Sequence, residues 1–332
     1  MKTTSHLKNL NIEVNWPRAF SARWHAQLML LHSVFLIALA LMSGAALAAA
    51  PNFCQQTAQD ALRSCTDGAE SDYQLALGNC DNLPDAAGRT GCEKQAAADF
   101  KSALQLCGQQ NTLRQIVCGK LGPAPYDPNI VPSNFVAVID NPFFPLKPGT
   151  TFIYEGQTAE GFEHVEFAVT HQTKVILGVT CTEIHDTRRV NGIVLEDTRD
   201  WFAQDKQGNV WYFGENTTLV ADGLPVDLTG SWTGGVDGAK PGIIMKAHPH
   251  IGDFYRQEFS LDNAEDLAEV KSLSAHATVP FGSFNNCLKT LESSSLAPGD
   301  LEHKFYAAGV GNLLTVDLAT GEREELVKII TE

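Results

Sequence analysis

The chain has 332 residues, a formal net charge of −15 at pH 7 and 44% hydrophobic residues. A chain of this length accommodates one large domain and a smaller one. Nucleic acid and anionic lipid both repel an acidic surface, so the charge argues against either as a partner. The same charge is typical of a soluble exported protein.

Residues 1–48 have the three parts of a secretory signal peptide. A long basic region precedes an apolar run at 28–42, and Ala-Leu-Ala at 46–48 provides small residues for cleavage. The apolar run is shorter than the roughly 20 residues that a membrane-spanning helix needs. We therefore predict no membrane span after cleavage, with an uncleaved anchor as the alternative. Because residues 1–48 carry a net charge of +3, the mature chain would have a charge near −18.

All eight cysteines lie after the predicted cleavage site. An even number of cysteines in an exported chain indicates a disulfide framework that forms in an oxidising compartment. Together with the signal peptide, this framework predicts a periplasmic or secreted protein.

Residues 49–122 are rich in helix formers, and their six cysteines follow a symmetric spacing. The separations between consecutive cysteines are 11, 15, 12, 15 and 11 residues. Two cysteines 11 residues apart in one helix lie about 16 Å apart along its axis, which is too far for a disulfide. Pairing from the outside inward fits two antiparallel helices, and it predicts Cys54–Cys118, Cys65–Cys107 and Cys80–Cys92.

A different connectivity stays open for this Cys-rich hairpin. Thr66-Asp67-Gly68 is expected to break the first arm, and the second arm has no matching break. Zinc is disfavoured as the reason for the cysteines, since no C-x-x-C pair is present. We interpret the hairpin as a staple or a partner surface, because two short arms bury little apolar area without cross-links.

A Pro-rich linker at 123–140 separates the hairpin from a β domain at 141–332. Asn191-Gly192 lies between two strand-like runs and predicts a tight hairpin turn. Further hairpins are predicted to turn at 205–209 and near Thr320-Gly321. Helical periodicity is suggested at 263–273 alone. The sequence thus predicts a mainly β fold of roughly ten antiparallel strands, a curved sheet or a partly open barrel, preceded by a small disulfide-stapled α-helical hairpin.

The two remaining cysteines, Cys181 and Cys287, occupy related places in two similar strand-turn-strand segments. A Cys181–Cys287 bridge is our first expectation. Two buried free thiols are the alternative, because unpaired cysteine is a good core residue.

Possible chemistry lies in two polar clusters of the β domain. Carboxylates at Asp197, Asp200, Glu215 and Glu258 could act as acid and base. Along an extended strand, Glu196 and Asp200 point to one face and Asp197 to the other. Solvated surface acids are the simpler interpretation. His248 and His250, together with Glu258 or His303, could bind a transition metal, although Pro249 favours a turn. No metal or other cofactor is predicted.

Aromatic side chains cluster in the same region and suggest an apolar small-molecule site. A plain aromatic core is the alternative. The glycine-rich segment at 230–243 could form a mobile lid or rim, or an irregular connection. The predicted ligand-binding residues are Trp201, Trp211, Trp232, Gln204 and Gln257.

The β domain resembles a family of exported bacterial proteins. The resemblance is carried by NPFFPLKPGTTFIYEG, LEDTRDWFAQDKQGNVWYFGE, GSWTGGVDGAKPGI, YRQEF with NAEDLAEV, and HKFYAAGVG. The pieces VPFGSFNNCLKT and FYAAGVG also resemble half-barrel lipoprotein-like domains. That likeness implies a concave sheet that could hold an apolar ligand, and it implies no catalytic residues. The Cys-rich segment lies outside the resemblance.

These observations lead to three hypotheses for the function. The first is an exported binding protein that holds a small apolar molecule or a protein partner. The second is a carboxylate-dependent hydrolase or lyase, which requires two acids converging in a cavity. The third is a structural envelope protein with no ligand.

Overall fold

The structure is a computed structural model, and it describes residues 51–332. The predicted signal peptide at 1–48 lies outside the described residues. The described residues belong to one compact unit. It contains two long helices followed by a sheet of sixteen strands.

The two helices form the predicted antiparallel hairpin. Helix α1 spans Phe53–Asp81 and helix α2 spans Ala86–Leu121. Each begins at a side-chain cap, where Asn52 accepts from the amide of Gln55 and Asp85 from that of Gly88. The predicted break at Thr66-Asp67-Gly68 is wrong, because α1 continues through it without interruption.

Three disulfides join the helices in the nested order that the cysteine spacing predicts. Cys54–Cys118, Cys65–Cys107 and Cys80–Cys92 have Cα–Cα distances of 5.6, 5.7 and 5.4 Å. The buried apolar side chains of the two helices are four alanines, three of the disulfide cysteines and Val117, and Tyr73 stacks on Phe100 with ring centroids 4.8 Å apart. The hairpin therefore has a thin core, and the cross-links hold its register.

The sheet makes up most of the β domain and curves into a nearly closed antiparallel barrel. A short 3₁₀ helix at Pro132–Asn134 precedes it. Its strands are β1 (Phe135–Val136), β2 (Thr150–Gln157), β3 (Phe162–Ile176), β4 (Val179–Val190), β5 (Ile193–Asp205), β6 (Val210–Ala221), β7 (Leu224–Asp227), β8 (Trp232–Thr233), β9 (Lys240–Met245), β10 (Phe254–Arg256), β11 (Glu258–Phe259), β12 (Asp266–Val279), β13 (Gly282–Ser294), β14 (Leu301–Ala307), β15 (Gly311–Asp317) and β16 (Arg323–Thr331).

The two ends of the sheet meet around Gln257. The neighbour order is β10-β12-β13-β14-β15-β16-β2-β3-β4-β5-β6-β9-β11, so β10 and β11 are its terminal strands. These strands are separated in sequence by Gln257 alone. The fold class predicted from sequence, a curved antiparallel sheet or partly open barrel after a stapled helical hairpin, is confirmed.

The hairpin turns agree with their sequence patterns, with one helical segment predicted wrongly. Asn191 and Gly192 join β4 to β5 with φ values of 50° and 81°, the left-handed conformation that a two-residue hairpin needs. Turns at 205–209 and at Thr320-Gly321 join the expected strand pairs. The suggested helix at 263–273 is wrong, since most of it belongs to β12.

The glycine-rich segment at 230–243 is joined to the barrel wall by a short strand near each end. Strand β8 and strand β9 both pair with β6, and Trp232 is buried in the main core. A lid function for this segment is therefore not supported by its pairing.

Two apolar clusters explain why the predicted Cys181–Cys287 bridge is wrong. Both thiols are free and buried. Cys287 belongs to the main core inside the barrel, while Cys181 packs in a second cluster with Trp201 and Phe213. Strands β4 and β13 are also separated by five other strands in the sheet order.

The helical hairpin is fastened to the barrel by polar contacts from α2. The Arg114 guanidinium donates to both carboxylate oxygens of Glu265, with Nη2–Oε1 at 2.7 Å, and both side chains are buried. The Gln110 amide donates to the Leu296 carbonyl at 2.9 Å. Within residues 51–332, neither helix combines the length and the apolar character that a membrane span requires.

Candidate functional site: the barrel cavity

A cavity of about 290 Å³ lies inside the barrel. This volume is near the lower end of the range of roughly 300–1,000 Å³ that is typical of small-molecule sites. One part of its wall is aromatic and apolar, and is formed by Phe144, Phe152, Tyr154, Phe167, Phe202, Tyr212, Ile244 and Tyr306. Edge-to-face and stacked contacts fix these rings, such as Phe202 on Tyr212 with centroids 4.6 Å apart.

The other part of the wall is unusually acidic. Among residues 51–332, six carboxyl groups line the cavity together with one basic side chain, Lys304. The carboxyl groups are those of Asp186, Asp200, Glu258, Asp266, Glu292 and Glu324. Asp200, Glu258 and Glu292 are buried, and buried carboxyl groups are costly unless they are paired or neutral.

Strand alternation places Glu292 and Glu324 at the cavity, since each shares a strand face with buried residues. Glu292 follows Leu288 and Thr290 at steps of two along β13, and all three are buried. Glu324 lies two residues before the fully buried Leu326 on β16. Acids at the core-facing positions of a strand are the sequence pattern that could have revealed Asp186, Glu292 and Glu324, which were not predicted as site residues.

Glu292 and Lys304 form the central ion pair of the cavity. The Lys304 ammonium lies 3.0 Å from Oε2 of Glu292, while the hydroxyls of Tyr306 and Thr290 donate to Oε1 at 3.0 and 2.9 Å. Burial alone would raise the pKa of Glu292, but Lys304, together with Thr290 and Gln257, lowers it below its usual value. Glu292 is thus ionised and satisfied within the protein.

Asp200 and Glu324 differ from Glu292, because their pKa values are raised and not lowered. Burial, reinforced by the neighbouring Glu196, raises the pKa of Asp200 to about 7, although it accepts a hydrogen bond from the Tyr212 hydroxyl. Burial and the charge of Glu163 raise the pKa of Glu324 to about 7. Both carboxyl groups are therefore poised to exchange a proton near neutral pH.

Glu258 and Glu215 extend the acidic wall towards β6. The Trp232 indole donates to Oε2 of Glu258 at 2.8 Å, and burial with nearby Asp266 and Glu215 raises the pKa of Glu258 well above its usual value. Glu215 lies opposite Asp200 in the β5–β6 ladder, and burial with the charge of Asp200 raises its pKa. Of the four predicted catalytic candidates, Asp200 and Glu258 thus line one cavity, with Glu215 beside them.

Asp197 lies away from these acids, as strand alternation requires. It accepts from His185 at 3.1 Å, and its side chain is 44% exposed. The cavity is therefore not reached by every carboxylate of the Asp197 to Glu215 hairpin.

The predicted tryptophan cluster divides between two faces of the sheet. Trp201 packs in the second apolar cluster, with the Lys174 ammonium 3.4 Å from its ring centroid. Trp211 packs beside the same cluster and donates to Asp205 at 2.9 Å. None of the three tryptophans lines the barrel cavity, although Trp232 packs in the main core against Glu258 and Tyr212, which do line it.

The two predicted glutamines also differ in position. Gln204 accepts hydrogen bonds from the amides of Asp140 and Asn141 at 2.9 and 2.8 Å, and so anchors the chain that leads into the barrel. Gln257 lines the cavity, is 3% exposed, and its Nε2 has no hydrogen-bond partner within residues 51–332. Gln257 is therefore available for a ligand, and Gln204 is engaged in structure.

The histidine pair does not form a metal centre. His248 and His250 lie in the connection between β9 and β10, and the His250 side chain is 79% exposed. His303 is on β14, where its ring packs against Phe305. In the described part of the chain, no group of three or more potential ligands is arranged to hold a metal ion.

No family model matches this chain, and no curated protein matches it either. Among solved structures, the chain is similar to a crystal structure described as a "putative lipoprotein" from Parabacteroides distasonis. The TM-score is 0.32 with 12% identity, over 57% of this chain and 98% of that one. Similarity at this level carries no argument about function.

Proposed function

We propose that this protein is an exported binding protein that holds a small organic cation with an apolar body in the barrel cavity. The observation that supports the proposal is a single cavity in which an aromatic wall faces six carboxyl groups and one lysine. Aromatic rings bind the apolar part of a ligand and also attract a cationic group. The acids supply the opposite charge.

The charge balance of the cavity favours a cation over a neutral or anionic ligand. Lys304 forms an ion pair with Glu292. In the described residues, no basic side chain is within ion-pair distance of Asp186, Asp200 or Glu258. Their raised pKa values mean that burial keeps them wholly or partly neutral in the free protein. A bound ammonium or guanidinium group would favour their ionised forms.

Gln257 adds a hydrogen-bond donor to this site. Its unpartnered Nε2 is buried at the point where the two ends of the sheet meet. A buried donor without an acceptor costs about 1–3 kcal/mol, which an oxygen of the ligand would recover. The ligand that fits best therefore has a cationic group for the carboxyl groups, an apolar body for the aromatic rings and an oxygen that accepts from Gln257.

The proposal is tested with a series of primary ammonium ions, from methylammonium to 2-phenylethylammonium, each compared with the neutral alcohol of the same shape. We expect at least one ammonium ion to bind about tenfold or more tightly than its alcohol. The measurement is isothermal titration calorimetry at pH 7.5. The idea fails if no ammonium ion in the series binds more tightly than its alcohol.

Two variants on one strand provide a matched pair for this titration. Asp200→Asn keeps the shape of the neutral acid in the cavity but cannot ionise, so it should weaken ammonium binding about fivefold or more. Asp197→Asn makes the same change on the opposite face and should leave binding unchanged. Equal effects of the two variants would show that binding occurs elsewhere.

A second candidate function is acid–base catalysis in the same cavity, and the raised pKa of Asp200 near 7 favours it. An enzyme would convert its ligand, whereas a binding protein returns it unchanged. Mass spectrometry of a tightly bound ligand after prolonged incubation separates the two functions, since a changed mass would favour catalysis.

A further inference from the structure

A second cavity, of about 100 Å³, lies where the helical hairpin, the linker and the barrel meet. The C-terminal part of α2 forms one side, and strands β10 and β11 with the loop after them form the other. Its polar wall contains two guanidinium groups, those of Arg114 and Arg256, and its apolar wall includes Leu121, Pro125, Phe259 and Leu261.

Arg114 reaches this cavity with one nitrogen to spare. Its Nε and Nη2 are used by Glu265, and Nη2 also lies 3.2 Å from Asp262. Its Nη1 is buried and has no hydrogen-bond partner within residues 51–332. Arg114 is 3% exposed, so solvent does not readily satisfy this donor.

Arg256 is less well satisfied. It is 8% exposed, and its Nε and Nη1 are buried without partners in the described part of the chain. The guanidinium lies 4.6 Å from the ring centroid of Phe259 and 5.5 Å from that of Tyr126. Aromatic faces attract a cation but accept no conventional hydrogen bond in its plane, so the edges of the guanidinium stay free.

The buried charges around the cavity are two guanidinium groups and one carboxylate, that of Glu265, and so leave one positive charge without a buried partner. Arg114 is balanced by Glu265 and by the partly exposed Asp262, while Arg256 has no carboxylate at ion-pair distance among residues 51–332. Burying an unpaired charge costs several kcal/mol, and burial lowers the pKa of Arg256 accordingly. A dianion would meet repulsion from Glu265, so a single negative charge fits best.

We propose that this junction cavity binds a small monocarboxylate with a short apolar tail. The carboxylate would accept from the free guanidinium nitrogens of Arg256 and Arg114, in the charge-assisted geometry that arginine favours. The tail would lie against Leu121, Pro125 and Leu261. The site is separate from the barrel cavity and does not depend on the function proposed for it.

The test is thermal unfolding of the disulfide-bonded protein in sodium propionate, compared with propionamide and with sodium chloride at equal ionic strength. A ligand that binds the folded state raises the unfolding temperature with concentration. We expect propionate to raise it more than either comparison compound. The propionate affinity should fall about tenfold or more in Arg256→Met. It should be unchanged in Lys240→Met, which removes the same charge from the exposed pair with Asp127.

Arg256→Met removes an unpaired buried charge, so the variant is expected to fold at least as stably as the parent protein. Arg256→Lys provides a second check, because it keeps the charge but loses the planar fork and should bind propionate with intermediate affinity. A crystal grown with 3-bromopropionate should show the bromine anomalous signal in the junction cavity, beside Leu121, Pro125 and Leu261, because the bromine is at the tail end of the ligand. Equal responses of Arg256→Met and Lys240→Met, no preference for propionate, or a bromine signal in the barrel cavity alone would each overturn the proposal.

Discussion

The helical hairpin and the barrel are stabilised by different interactions. The hairpin buries mainly small side chains, those of alanine and cysteine, and is held by three disulfides. The barrel has a large core of aromatic and aliphatic side chains and, within residues 51–332, no disulfide. A region with a thin core depends on covalent cross-links, whereas a region with a large core can tolerate buried carboxyl groups in its centre.

Reduction of the disulfides should separate the two regions most strongly. Each cross-link is expected to contribute about 2–4 kcal/mol, mainly by restricting the unfolded chain. We expect the reduced hairpin to lose helical circular dichroism well below the unfolding temperature of the barrel. Near-ultraviolet signals from the barrel aromatics provide the control, because they should persist. Simultaneous loss of both signals would show that the barrel depends on the hairpin.

The Arg114–Glu265 pair is expected to have the next largest effect, because it connects the two regions. Arg114→Met leaves Glu265 buried without its cation, which typically costs about 3–5 kcal/mol. Urea denaturation measures this loss of unfolding free energy. Arg63→Met, in a pair with Asp60 whose side chains are 73% and 68% exposed, should cost less than about 0.5 kcal/mol. A similar cost for both variants would contradict a structural role for the buried pair.

Because the pKa values of two barrel acids are raised, we expect the free energy of unfolding to fall as pH rises. Folded Asp200 and Glu324 retain protons to a pKa of about 7, whereas the unfolded chain releases them near pH 4. Their contribution is fully present below that value and is lost as pH rises through 7, by on the order of 3 kcal/mol for each group. Unfolding free energies at pH 5 and pH 8 measure the difference.

Asp200→Asn isolates one of these groups, because contributions from other titrating residues cancel in the comparison. The variant should lose less stability between pH 5 and pH 8 than the parent protein. An identical pH dependence in both proteins would mean that Asp200 is ionised throughout.

The smallest expected effect concerns the two glutamines. Gln204→Ala removes three hydrogen bonds at the entry to the barrel and should cost about 1–2 kcal/mol of unfolding free energy without changing ligand affinity. Gln257→Ala removes an amide whose Nε2 has no hydrogen-bond partner within residues 51–332 and which contributes little beyond lowering the pKa of Glu292, so it should cost less stability than Gln204→Ala and should weaken ligand binding. If Gln204→Ala weakened ligand binding and Gln257→Ala did not, the ligand would lie near Gln204.

Much of the fold could be predicted from sequence because its signals are local or periodic. The symmetric cysteine spacing fixed the register of the helices, and Asn191-Gly192 marked a hairpin through its backbone conformation. The continuity of α1 through Gly68 could not be predicted, since the cross-links to α2 offset the low helix propensity there. The Cys181–Cys287 bridge failed because relative strand position in a barrel is a property of the whole sheet.

The candidate site was predicted only in part, for a related reason. Asp200, Glu258 and Gln257 were selected from sequence, and alternation separated Asp200 from Asp197. The acids Asp186, Glu292 and Glu324 come from strands distant in sequence, and barrel closure brings them together. The tryptophans were misleading, because Trp201 and Trp211 pack on the outer face of the wall.

The most direct test of the central claim is the number of protons released when an ammonium ligand binds. Calorimetric titrations at pH 7 in two buffers of different ionisation enthalpy give this number. If the cavity acids are partly neutral and a cation ionises them, binding should release a substantial fraction of a proton, and Asp200→Asn should release less. Tight binding with no proton release, equal in both proteins, would contradict the account of the barrel as a cation-binding site.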